Sequence, residues 1–175
     1  ASLMQPPISP DPDIANCDCF EENMLDSLSG EPNLKLGRRL FFHPRLAACF
    51  NCHAVDGRGI EVGPNLTHID NHSQNGRAWL LQHILNPSSE VAPYYRSQVI
   101  TTSDGKSQVG FILGREGNSQ SYVGVDGKIF SARKPEVIKR EELSMSIMPA
   151  GLLTPLTNRE IRDLLAYLMK EKTEG

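Results

Sequence analysis

Two cysteines and a histidine stand together in "ACFNCHAVDGRG", residues 48–59, at Cys49, Cys52 and His53. A Cys-x-x-Cys pair can be half of a zinc site, a redox disulfide or the attachment point of a haem, and a histidine directly behind it favours the last. Structural zinc normally takes four ligands, usually from two separated pairs. The other cysteines, Cys17 and Cys19, are spaced C-x-C in a proline-rich stretch and make a poor second pair. A thioredoxin-like disulfide expects a βαβ setting, whereas the flanks here read as helix and loop. The haem reading gives every residue a task. Two thiols add to two vinyl groups, Cys49 and Cys52 become thioethers, and His53 is carried under the ring as an axial ligand of the iron.

A second axial ligand is then required. "SMSIMPAGLL" offers Met145 and Met148, far along the chain from His53. Methionines are also common gap-fillers in cores. Met148 precedes a proline and a glycine closely, which puts it on an irregular loop that can aim a thioether, so it is the expected ligand and Met145 the alternative. Iron held by His53 and Met148 has a higher potential than a bis-histidine site, because a soft thioether favours the ferrous state. Trp79 is read either as a donor to a haem propionate or as core filler. Arg58 and Arg77 are read either as propionate partners or as ordinary exposed arginines. His43, His68, His72 and His83 are expected to be polar residues without a ligand role.

The elements that must position these groups can be read from periodicity. Residues 1–32 form a first region, a proline-rich tether (Pro6, Pro7, Pro10, Pro12) and a short helix carrying Phe20, Met24, Leu25 and Leu28. "NLKLGRRLFF" predicts a second helix, from about Asn33 to Phe42, closed by Pro44. "GRAWLLQHILNP" predicts a third, with Ala78, Leu81, Ile84 and Leu85 on one face. The last begins with a T-x-x-E capping box, Thr157 and Glu160, and carries the stripe Ile161, Leu164, Leu165 and Leu168. Lys170 and Lys172 suit its negative C-terminal end. Between the third and last helices, β-branched and aromatic runs alternate with "SDGK", "EGNS" and "VDGK", which predicts four or five antiparallel strands from about Tyr94 to Arg140.

The 175 residues, 39% apolar and 22% charged, are enough for one packed domain. A net charge of −3 is too small to point to nucleic acid or an anionic membrane. No run approaches the roughly 20 apolar residues of a membrane span. The start "ASLMQPPISPDPD" lacks the basic and apolar regions of a signal peptide, so the expectation is either a cytosolic chain or a mature or excised fragment.

"GRRLFF", "CFNCH", "VGPNL", "SIMP" and "LLAYL" together resemble a class I c-type cytochrome. A narrower resemblance, over about Leu36 to Met169, is to the planctomycete-type haem-binding domain, often found behind dehydrogenase-like β-propellers in secreted proteins. It is carried by "CFNCHAVDGRGIEVGPNL", "LLQHILNPSSEVAPYY", a strand-rich insert and "SIMPAGLLTPL"; the "NCDCF" segment and Met145 depart from it. The resemblance implies a mainly α protein, a class I cytochrome c fold with a small antiparallel β insertion between the third helix and the axial-methionine loop. Residues 33–175 would form the monohaem domain, with the insert at about 94–140. It further implies that Gly37 and Phe41 sit where the first helix of that domain crosses the last, against Leu164, Tyr167 and Leu168. The Pro64 carbonyl would accept a hydrogen bond from the His53 ring.

The implied function is electron transfer by one covalent haem c, exchanging electrons with a redox protein such as a dehydrogenase or a terminal acceptor. The location would be periplasmic or otherwise extracytoplasmic. There Cys17 and Cys19 could be bridged within or between chains, or idle. The alternatives are a haem enzyme or a gas or peroxide sensor with an open sixth position, and a zinc-stabilised interaction module. "GRRLFFHPRL" also resembles the run before the first haem motif of dihaem peroxidases, but a second C-x-x-C-H is missing. The β insert is read as a docking surface or as a stable elaboration, with docking favoured.

Overall fold

The computed structural model describes residues 27–71, 76–124 and 127–170. Cys17, Cys19, His72, Lys172 and most of the first expected helix lie outside the described residues.

Helix α1, Leu34–Phe41, starts where the Asn33 side chain accepts the Leu36 N–H at 3.0 Å. A 3-10 turn, Cys49–Asn51, leads into a two-stranded hairpin, β1 (Ala54–Val55) and β2 (Arg58–Gly59). Helix α2 spans Gly76–Leu85, then five strands follow, β3 (Gln98–Thr102), β4 (Ser107–Glu116), β5 (Ser119–Gly124), β6 (Ile129–Arg133) and β7 (Val137–Glu142). Helix α3, Asn158–Leu168, ends the described order. Its capping box is complete, with Glu160 N–H on the Thr157 hydroxyl and Thr157 N–H on the Glu160 carboxylate at 2.9 Å.

The mainly α expectation, a class I cytochrome c fold with a small β insertion, is overturned. Among the described residues there are three α-helices of only 8, 10 and 11 residues, beside a five-stranded antiparallel sheet and the two-stranded hairpin. The fold is mixed α/β. The physical reason is local. Pro44 and Pro87 follow closely on the ends of the first two helices and keep them short. The run from Gln98 to Glu142 is rich in β-branched and aromatic residues, so it builds one core within its own curl and a second shared with Val62, Cys52, Tyr95 and Ile147, rather than decorating a helical one.

Helices α1 and α3 cross at Gly37. A Cβ there would lie 1.9 Å from the Asp163 carbonyl oxygen and 2.8 Å from the Tyr167 Cβ, so only glycine permits the approach. Leu40, Phe41, Leu80, Leu81, Ile161, Leu164, Leu165 and Leu168 form the helical core. The stripe expected on α3 is buried as read, but on α2 the fully buried pair is Leu80 and Leu81, and Ala78 is only half-buried. Asp163, fully buried, accepts from the Arg162 side chain and from the Asn33 N–H at 3.0 Å, tying the start of α1 to α3.

The large sheet has the order β6-β5-β4-β3-β7. Its edge strands, β6 and β7, are joined by only the 3-10 turn Lys134–Glu136, so the sheet must curl back on itself. The Arg140 guanidinium on β7 reaches the Gln120 side chain on β5, across the curl. Opposite pleats bury different partners. Phe111, Leu113 and Val123 face Val62, Cys52, Tyr95 and Ile147, whereas Ile100, Ile112, Tyr122, Phe130, Ala132 and Val137 pack inside the curl.

Candidate haem-attachment site

The motif is wound as a helical turn. Cys52 N–H and His53 N–H both donate to the Cys49 carbonyl, at 3.1 and 2.9 Å, which brings Cys49 and His53 to the same side. Ala47 and Ala48 enter this turn with φ of 48° and 47°, a left-handed pair at alanines and hence a strained one. After His53 the chain reverses through Asp56–Gly57, between β1 and β2, and the Gly63 N–H then returns to the Cys52 carbonyl at 2.6 Å.

This return places residues 62–64 over the imidazole. The His53 Nδ1 lies 2.8 Å from the Pro64 carbonyl oxygen. A carbonyl only accepts, so Nδ1 carries the proton and Nε2 is left as a bare electron pair. Burial pulls the His53 pKa below its ordinary value, with the Pro64 carbonyl opposing. A Cβ at Gly63 would stand 2.6 Å from the ring Cε1, so glycine is what lets the backbone lie against this ring.

The two thiols sit in different surroundings. Cys49 packs against the helical core, whereas Cys52 packs against Val62, Phe111 and Val123 from the sheet side. Burial pushes the Cys49 thiol up to about 11 and raises Cys52 as well. Reactive redox cysteines are shifted in the opposite direction. The two are not bonded to each other. Among the described residues no group of three or more His, Cys, Asp or Glu side chains is arranged to hold a metal ion.

Met148 is half-buried on the loop between β7 and α3, and its N–H donates to the Ser146 hydroxyl at 3.1 Å. The Ser146 N–H in turn donates to Ser88 beyond α2. Ile147, next in the chain to Met148, joins Cys52 in one apolar cluster, so this loop is drawn to the motif. Met145 is 60% exposed.

The other expected residues are more dispersed. Trp79 is half-buried against the helical core, its ring 4.2 Å from that of His83. Arg58 is exposed, with its guanidinium 5.1 Å from the centre of the Phe42 ring. An Arg77 nitrogen lies 3.5 Å from the Leu28 carbonyl. His43 Nδ1 accepts the backbone N–H groups of Arg45 and Leu46, and His68 is exposed.

Sequence reasoning missed Gly63 as the residue under the imidazole and Phe111 as the sheet's contact with the motif. "VGP" carried the first signal, a glycine directly before the proline. The second had none, because nothing in a strand's alternation says which face meets a distant loop.

The chain matches no family model and no curated protein. No helix among the described residues is long and apolar enough to cross a membrane.

Proposed function

We propose that the protein carries one covalently attached haem c and transfers single electrons. The observation that carries this reading is the state of His53. Its ring is oriented by the Pro64 carbonyl and seated against Gly63, and its Nε2 is left bare in a desolvated place. An imidazole fixed in this way is what an axial ligand needs, because the hydrogen bond on the other nitrogen sets the tautomer and raises basicity. Cys49 and Cys52, free and flanking it, supply the two thioether bonds. Met148 supplies the sixth ligand from the loop that Ile147 holds to the motif.

Bound there, the haem supplies the one-electron couple. The chain's own contribution is a low dielectric from two apolar clusters, two fixed ligands and little rearrangement between oxidation states. A redox protein such as a dehydrogenase is the natural source of electrons, and attachment of this kind places the protein outside the cytoplasm.

The test is an absorption spectrum of purified protein, oxidised and then dithionite-reduced, with a haem stain after denaturing electrophoresis. Sharp low-spin bands, the weak red band of a ferric iron–thioether bond and stain that survives denaturation are expected. A colourless protein overturns the reading. A high-spin spectrum that shifts on adding carbon monoxide replaces it with a haem enzyme or sensor.

A further inference from the structure

The mouth of the curled sheet is a cationic groove, on the pleat opposite to the one that meets Cys52. It has a volume of about 470 Å³ and is lined by Arg115, Lys134, Lys139 and Arg140 around Val137 and Ile138. No acidic side chain lines it. Three of these cations, Arg115, Lys134 and Arg140, are thus gathered in one place on a chain whose net charge is −3, while Lys139, opposite Thr101 in the ladder, carries its side chain on the other pleat beside Glu141. We propose that this groove binds an extended acidic segment of a partner protein, a peptide bearing aspartate or glutamate with apolar side chains between.

Three features define that occupant. The first is electrostatic and built in. Arg140 is held by Gln120, a side chain only 2% exposed that also accepts the Tyr122 hydroxyl, so the guanidinium is fixed before any ligand arrives. Lys134 is held by the Gly117 carbonyl at 2.8 Å. Arg115 meets no carboxylate among the described residues, so its charge is open to an incoming one.

The second feature is apolar. Ile138 is 66% exposed at the groove and offers a contact for an alkyl side chain. The third is the backbone. β7 is an edge strand of the sheet, so one row of its N–H and C=O groups is open to pairing with an extended chain. A nucleic acid fits less well. The lining has no aromatic ring on which a base could stack, and the negative net charge repels a long polyanion.

The proposal is independent of the haem. It is tested by fluorescence anisotropy of a short fluorescein-labelled peptide of alternating aspartate and valine, against the full-length protein. Saturable binding that weakens with added salt is expected, with no binding of the lysine–valine counterpart. The double variant Arg115→Glu, Lys134→Glu should weaken it at least about tenfold, and Lys134→Arg should retain it. Ile138→Ser should weaken it less. Circular dichroism of each variant, matched to the parent, shows that the sheet is intact. No saturable binding, or equal binding by the double variant, overturns the proposal. So does tighter binding of a short single-stranded oligonucleotide than of the peptide.

Discussion

The orientation of His53 rests on a residue with no side chain. Any Cβ at position 63 meets the imidazole at 2.6 Å, so Gly63→Ala must tilt the ring or lift the 62–64 backbone away from it. Either movement stretches the 2.8 Å contact with Pro64. The expected outcome is a protein that retains its secondary structure but shows a perturbed or partly high-spin spectrum, read by absorption and circular dichroism together. Met148 carries a separate expectation. Replacing a thioether with an imidazole removes the preference for the ferrous state, so Met148→His should lower the reduction potential in a redox titration. An unchanged potential would remove Met148 from the ligand set. The His53–Pro64 contact was implied by the resemblance and is present, whereas Gly63 gains its meaning only when the backbone is seen to fold back over the ring.

Among the elements, the α1–α3 crossing is the tightest contact. The Gly37→Ala variant places a methyl group 1.9 Å from a backbone oxygen that cannot swing aside. Overpacking of this kind should cost about 3 kcal/mol, seen as a lower urea midpoint at an unchanged slope. The capping box of α3 and its apolar stripe could be read from residues 157–168, because both are local patterns. The burial of Arg162 and Asp163 could not. Their charges predict a solvated face, and only the return of residues 29–33 to the same spot gives them partners inside, Ser29 for Arg162 and Asn33 for one oxygen of Asp163, whose Oδ2 stays unpaired. The strands were placed nearly where they occur, yet the sheet's share of the fold was underrated. Turn signals mark where strands end, so the four or five strands expected match the five found, while strand order and curl depend on pairings between β3 and β7 that no local pattern encodes.

For the molecule as a whole, the sheet joins the helical part through the motif. Phe111 and Tyr122 are equally buried but on opposite pleats, the first against Cys52 and the second inside the curl. Both Phe111→Ala and Tyr122→Ala should destabilise the protein by about 3 kcal/mol or more. Only Phe111→Ala opens the Cys52 side to water, so only it should lower the potential of the loaded protein. Equal shifts in the two variants would mean that the sheet acts on the site through stability alone.

The Asn33–Asp163 contact spans 130 positions, whereas each neighbouring pair from β3 to β6 is joined by a short turn. Synthesis runs in one direction, and local pairings form sooner than distant ones. The meander can therefore assemble while α3 is still being made, and the helical core must wait for the last segment to arrive. Cys49 belongs to that late core and Cys52 to the early one. A newly made chain thus passes through a stage in which one wall of the site already stands and the other is open. On the proposed haem reading, that interval is when both sulfurs are open to attachment, and the docking of α3 ends it.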